Sequence, residues 1–478
     1  MPPSRRLLAV AVLLFLTCGK AYAQEQLLAP SPEATPPAFL TSLEGPVFPA
    51  HLQAMLERFN WEGGTDTQAD SAIYSLRSKL QKALLQQPRL QAQRSRESES
   101  QLRIQEARAE RRPQIDAGFE YRNDLQRNEA LPDRGSRVDA VVTLSQLLFD
   151  FGASAQRVHS ADLSAEAEYW QTRARTEDEV LYATNAYLEV ARVSAQLELA
   201  EHNLSQHQRI LDDVKARRDA GAGSRADVLR AESRLTNAQS NKVSLEGELS
   251  RALNAYQEAF FTTPERLDLP RAADFLAEQE ISQLLEGALE RNPSLQSSSL
   301  ASQASKAEAD ATRNARFPRL SVAVEGRQFD VDNISDSDND VALLFNVDYT
   351  PYSGGATSAR IGQAEERRRQ ARFEQDSLKR ELEREVNSAY TDTLTRLEEL
   401  KAQARSLAAE EQALMAYREQ FGIGRSSIND LLDAQRDLHQ AATELVNRRI
   451  RWEEASFQQL AITGQLLDVM EITVEPHG

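Results

Sequence analysis

Apolar positions along the chain follow two periods, and the two periods alternate twice. From about Thr67, Ile73, Leu76, Leu80, Leu84 and Leu85 fall at helical spacing until Pro88 interrupts them. A second, very polar helix is expected over residues 90–111, ending before Pro113. The period then drops to two. Across residues 114–122, Ile115, Ala117, Phe119 and Tyr121 alternate with Asp116, Gly118, Glu120 and Arg122, the pattern of a strand with one apolar face. A polar loop leads to a second strand at 137–149, with Val138, Ala140, Val142 and Leu144 on one face. Gln146 breaks that phase, the apolar face is expected to resume at Leu147, Phe149 and Phe151, and a bulge is predicted there. After Gly152 the helical period returns and runs to Ala220 without Gly or Pro, with a seven-residue spine of Ala183, Val190, Leu197, Leu204 and Leu211. Seven-residue spacing is coiled-coil packing. Gly221 and Gly223 reverse the chain, and a return helix to about Ala259 carries Leu235, Ala238, Leu245, Leu249, Ala252 and Tyr256 as its seam.

Residues 262–273, with Pro264 and Pro270, read as a linker, and after it every feature recurs. The segment around Pro293 matches that around Pro88 at a shift of 205 residues, as Phe317-Pro318 matches Arg112-Pro113. Strands are expected at 319–329 and 341–349, on either side of an acidic loop. The second long helix has a spine of Val386, Thr393, Leu400, Leu407, Leu414 and Phe421; its first five positions are those of the first spine shifted by 203. At that shift Gly221 falls on Gly424, Asp227 on Asp430, Leu229 on Leu432 and Ala231 on Ala434. The chain therefore divides into a first repeat at 67–261, with a helical hairpin at 153–259, and a second at 274–466, with a hairpin at 356–463, followed by a tail at 467–478 without a usable pattern. In the second turn, Gly422 and Gly424 are expected to take the positive φ that ends one helix, and Ser426 or Ser427 to cap the next.

Composition narrows the possibilities. The 478 residues are 41% hydrophobic, 6% aromatic and 27% charged, which suits long solvated amphipathic helices better than one thick core. A net charge of −17 argues against nucleic acid as a partner. Residues 1–23 read as a secretory signal: Arg5 and Arg6, an apolar run, then Ala21-Tyr22-Ala23 before Gln24. A competing reading makes Cys18 the lipidated first residue of a lipoprotein, but Thr17 stands where a small residue is wanted, and cleavage after Ala23 is the expectation. Cys18 is the only cysteine, and the six histidines show no ligand spacing, so neither a cofactor nor a metal is expected. Residues 24–66 form a Pro-rich segment in which Phe48, Leu52, Met55 and Leu56 are placed to dock a short helix.

Each strand is about ten residues with one apolar face, the length and alternation of a membrane β-strand. A soluble sheet covered by the helices is the alternative. Against it, the helices are too long to fold back, and their apolar positions are committed to a seam. Aromatic residues (Tyr121, Phe149, Phe151, Phe345, Tyr349, Tyr352) also gather at strand ends, as an interfacial girdle does. Four strands cannot close a barrel, and open edges are not tolerated in lipid, so copies of the chain must share one. Three chains give a closed barrel of about twelve strands, with their helical hairpins as a tube beneath it.

Over residues 67–466 the sequence resembles the TolC-like outer membrane factors. The resemblance is carried by the paired proline starts, the duplicated strand pairs and the two turns, above all Phe421-x-x-Gly424 followed by Asp430-Leu-Leu-Asp433-Ala. It implies an α+β membrane protein: a homotrimer with a 12-stranded barrel in outer-membrane lipid, four strands per chain, continued by a coiled-coil α-barrel across the periplasm. The tips would meet a periplasmic adaptor and an inner-membrane pump, either ABC or proton-driven, in type I protein secretion or efflux of small molecules. No catalysis is implied. Gly221, Gly223, Arg225, Gly424, Arg425 and Ser426 would be docking-tip residues, and Asp227, Asp430, Asp433 and Phe421 would line and gate the entrance. Phe421 stands where better-known members have Tyr, and Ser426 where they have a basic gate residue, so the polar latch of those members has no direct counterpart here. Asp430 and Asp227 have a structural reading as well, since Ser427-x-x-Asp430 and Ser224-x-x-Asp227 both fit a capping box. A rival class, a periplasmic coiled-coil structural or adaptor protein with no channel, predicts a detergent-free soluble protein.

Overall fold

A computed structural model describes residues 46–60, 66–123, 136–265, 267–276, 280–329, 331 and 338–474. The signal segment with Cys18, the first part of the Pro-rich segment, the 124–135 loop, most of the acidic loop and the last four residues lie outside these.

Helix α1 (Ala50–Arg58) is followed by α2 (Asp66–Gln86) and α3 (Pro88–Ala109), which part where Pro88 takes the first position of a new helix. Strands β1 (Gln114–Asn123) and β2 (Ser136–Phe149) lead into α4 (Ala153–Asp219) and the return helix α5 (Arg225–Phe260). The second repeat is α6 (Ile281–Arg291), α7 (Pro293–Asn314), β3 (Arg319–Gln328), β4 (Asn339–Asp348), α8 (Ala356–Gly422) and α9 (Ile428–Ile462), and α10 (Leu466–Val469) ends the chain. Helices α4 and α8 have 67 residues each, so each is about 100 Å long. Each starts from a left-handed glycine, Gly152 and Gly355, at matched positions.

The four strands make one antiparallel sheet in the order β1-β2-β3-β4. Ile115, Leu144, Val324 and Leu343 pair in one row across it. That apolar face is bare: Phe119 is 80% exposed, Val341 75% and Phe345 68%, so the helices do not cover the sheet. The alternative of a soluble, helix-covered sheet therefore fails. A one-residue bulge between Leu147 and Phe149 returns Phe149 to the apolar face but leaves Leu147 opposite Ser321 on the polar one, a partial correction to the expected phase. At the foot of the sheet Phe149, Phe151 and Phe317 pack with ring centroids 4.8 and 5.0 Å apart, next to exposed Tyr349 and Tyr352.

The helices continue the order of the strands. In the half next to the sheet, α3 packs on α4, α4 on α7 and α7 on α8; in the far half α5 packs on α4, α4 on α9 and α9 on α8. One side of the molecule is therefore edged by β1, α3 and α5, and the other by β4 and α8 along its whole length. All six residues of the α8 spine are buried. In α4, Leu197 and Leu204 are only half-buried, because α4 lies in the middle of the wall and spreads its contacts over a wider set that includes Val193, Leu199, Ile210 and Val214.

Two segments read from sequence as weakly patterned are packed. Tail residues Leu467 and Met470 are buried, and Arg77 donates to the Val469 carbonyl at 2.9 Å. The linker forms a short 3-10 turn, Ala272–Phe275, whose Ala272 N–H donates to the buried Glu453 carboxylate at 2.8 Å. Glu453 also pairs with the buried Arg449 at 2.6 Å. The short helix α1 docks as expected, burying Leu52, Met55 and Leu56 against α4 and α9.

Candidate functional site: the hairpin tips

The sequence makes the same turn twice, and the backbone follows it. At the end of α4 the Gly221 N–H donates to the Arg218 carbonyl (2.9 Å) and the Ala222 N–H to Arg217 (2.8 Å). At the end of α8 the Gly424 N–H donates to Phe421 (3.1 Å) and the Arg425 N–H to Gln420 (2.8 Å). Both are Schellman closures, and they need a left-handed residue, supplied by Gly221 (φ +78) and Gly424 (φ +74). Gly422 does not share that role, contrary to expectation: it is the last residue of α8. Gly223 has no positive φ; it is held small by the Arg218 backbone nitrogen, 3.1 Å from where a Cβ would sit. Ser426 stands at its matched position, half-buried, its Oγ without a hydrogen-bond partner among the described residues.

Two capping boxes follow. Ser224 accepts from the Asp227 N–H at 3.1 Å while Asp227 accepts from the Ser224 N–H at 3.0 Å. Ser427 and Asp430 do the same at 3.3 and 2.9 Å. Hydrogen bonds from the Ser427 N–H and hydroxyl hold the exposed Asp430 carboxyl below the usual aspartate range. Arg225, Gly424, Arg425 and Ile423 remain exposed at the tips, Ile423 62%.

Between the hairpins the matched positions differ. Phe421 is buried, its ring 3.9 Å below the Arg217 guanidinium, which also donates to the Phe421 carbonyl at 3.1 Å. Asp433 pairs with Arg234 of α5 and with Arg436 of α9, each at 3.1 Å. Arg230, at the position matched to Asp433, donates to the Asn429 side chain. Arg230, Arg234, Asn429 and Asp433 line a polar cleft of about 400 Å³ between α5 and α9 with Ser233, Asn237 and Leu432. The cross-hairpin arginines Arg217, Arg230 and Arg234 are absent from the sequence reading. Comparing the two turns for charge as well as for glycine and apolar positions would expose two of them, since Arg230 falls on Asp433 and Arg234 on Asp437 at the 203-residue shift.

Comparison with known proteins agrees with this architecture. The model of the family described as outer membrane efflux protein matches residues 79–259 and 284–465, one match per repeat. The chain is 27% identical to the outer membrane efflux protein BepC of Brucella suis over 70% of this chain and 75% of that one. It is 24% identical to the protease secretion protein PrtF of Dickeya chrysanthemi over 70% and 74%. The crystal structure of the outer membrane protein VceC from Vibrio cholerae superposes with a TM-score of 0.73 at 17% identity, over 82% of this chain and 96% of that one. With its two matched repeats, bare apolar four-stranded sheet and paired 67-residue helices, this chain belongs to the outer membrane efflux protein family and is an outer-membrane protein, one third of a trimeric barrel and helical tunnel.

Proposed function

We propose that three copies form the outer-membrane conduit of a tripartite export system. The observation that carries this reading is the continuity of the two edges. In one chain, β4 and the full length of α8 are open on one side, and β1, α3 and α5 on the other. Joining unlike edges around a threefold axis satisfies the strand edges in lipid and closes the helices into a tube in the same step. Cargo passes through without a chemical step on the chain. The exposed tips (Gly221, Gly223 and Arg225; Ile423, Gly424, Arg425 and Ser426) face the periplasmic adaptor, and through it an ABC or proton-driven pump. BepC and PrtF are named for efflux and for protease secretion respectively, and cargo of either class fits an open tube.

Within this reading the tips are the mouth. Asp227, Asp430 and Asp433 line it in three copies, a ring that favours cations. Where the tyrosine and basic latch groups of other members are replaced by Phe421 and Ser426, the second hairpin is fastened to the first by Arg217 on Phe421 and Arg234 on Asp433. The Arg234–Asp433 ion pair is half-exposed and is worth about 1 kcal/mol or less, weak enough for a partner to release. Purified protein should migrate as a heat-modifiable, detergent-requiring trimer and give small cation-selective channels in planar bilayers. A detergent-free soluble monomer would overturn the proposal in favour of a periplasmic coiled-coil protein.

A further inference from the structure

The seam between the two hairpins, α4 against α9, is not uniform. Far from the tips it is mainly apolar, with Val190, Val193 and Leu199 of α4 and Leu445, Val446 and Ile450 of α9 buried, and the polar contact there is short, Gln196 donating to the Asn447 side chain at 2.7 Å. There α1 lies across both helices, and Arg449 reaches the Asn60 carbonyl at 3.4 Å. At the tips it is apolar again, with Leu211, Val214, Phe421, Leu431 and Leu432 buried. Between the two stretches lies a polar layer: Asn203, Gln206 and His207 on α4, Arg418 on α8, and Gln435 and His439 on α9. Its hydrogen bonds are long. Arg418 donates to Gln206 at 3.4 Å and to Gln435 at 3.5 Å, and Gln435 donates to Asn203 at 3.4 Å. His207 is 5% exposed, and its Nδ1 has no hydrogen-bond partner among the described residues. Such a layer is the weakest place in the seam, since polar groups at the limit of bonding distance replace packed side chains.

The charged groups around the two histidines are mostly cationic. The fields that reach His207 come from His439 and from Arg234 of α5, and His439 feels His202. His202 in turn faces Arg418 of α8, Arg209 of α4 and His51 of α1. The carboxylates at this end are engaged elsewhere: Asp433 with Arg234 and Arg436, and Asp213 acting on Arg217.

We propose that this polar layer is the hinge at which the second hairpin swings away from the first, and that proton uptake by His207 and His439 releases it. The inference rests on reading the tips as the mouth. Neutral imidazoles fit the seam; two imidazolium ions repel each other, and Arg234 adds to the repulsion at His207. Burial pushes both histidines down to about 4 in the closed seam. Opening admits water and returns them toward about 6.5, so the closed seam is fully stable above that pH and loses stability as pH falls toward 4. The ratio of open to closed mouths then rises by up to about tenfold per pH unit for each histidine. Helix α1, packed on both α4 and α9, and the Gln196–Asn447 hydrogen bond keep the hairpins joined above the hinge, so only the tip end separates.

The test is single-channel conductance of the purified trimer between about pH 7 and pH 4.5, the window histidine titration predicts. Three proteins are compared: native, His207→Gln/His439→Gln, and Arg234→Ala. The expected result is a conductance increase of several-fold on acidification in the native trimer that the double variant lacks, with Arg234→Ala raised already at neutral pH. An equal acid response in native and double variant overturns the hinge while Arg234→Ala stays raised; if Arg234→Ala is also unchanged, the mouth reading itself fails. Should the double variant not assemble, a nitroxide at Ile423→Cys reads the tip separation directly. Widening in acid supports the hinge, and a constant distance overturns it.

Discussion

The first and second hairpin tips share a backbone and differ in chemistry. Both close with the same Schellman bonds on a left-handed glycine and both restart with a Ser-Asp capping box, residue for residue at a 203-residue shift. A turn of that kind is fixed by backbone accounting, which leaves few solutions. The faces the hairpins turn to each other have no such constraint and are complementary: Arg217, Arg230 and Arg234 on the first meet Phe421, Asn429 and Asp433 on the second. Position in the wall separates the return helices in the same way. Helix α9 is wedged between α4 and α8 and buries 18 residues, whereas α5 lies on an edge and buries 8. The buried Arg449–Glu453 pair belongs to α9 alone; the matched residues of α5 are Glu246 and Ser250. Duplication thus repeats the mechanics of the turn, and the surroundings decide what each copy holds.

The comparison can be broken most strongly at that pair. Glu453→Ala leaves Arg449 charged and buried without its carboxylate and frees the Ala272 N–H, which should cost about 3–5 kcal/mol; Ser250→Ala at the matched position should stay within about 0.5 kcal/mol. Thermal dissociation of the trimer in detergent reads both. Next in size, Leu400→Ala on the fully buried α8 spine should cost about 2–5 kcal/mol, and the matched, half-buried Leu197→Ala clearly less; equal losses would mean that the two spines are equivalent after all. For the caps the copies should agree: Ser224→Ala and Ser427→Ala should each weaken their helix start by about 0.5–2 kcal/mol, seen as faster amide exchange at 225–228 and 428–431. Because Asp430 is held below the usual aspartate range, its part in the second cap is complete at neutral pH and is lost only as pH falls through that lowered value. Amide protection at Asp430 that decays already near pH 5 would contradict this.

Much of this was legible in the sequence. Strand alternation, the Pro88 and Pro293 breaks, the seven-residue spines and the two glycine turns follow from local periods and backbone needs, and they reappear in the structure, the α4 spine only in part. What escaped depends on contacts distant in the chain. The tail reads as patternless, yet Leu467 and Met470 are buried because the surface they meet is built from α4 and α9. Gly422 looks like a turn glycine, and only hydrogen-bond counting along the Schellman closure gives the left-handed place to Gly424. The cross-hairpin arginines escaped because single charges on a helix carry no period. Their roles follow only when α5 lies beside α9 and the end of α4 beside that of α8.

The mouth account is tested most directly by single-channel conductance of a charge exchange across the hairpins. Asp433→Arg sets like charge against Arg234 and Arg436, and Arg234→Asp sets it against Asp433; each alone should raise conductance at neutral pH. Combined, the two restore an opposite-charge contact and should bring conductance back toward the native value. If both single variants conduct like the native trimer, or if the double variant stays as open as either single one, then the Arg234–Asp433 contact does not hold the mouth closed.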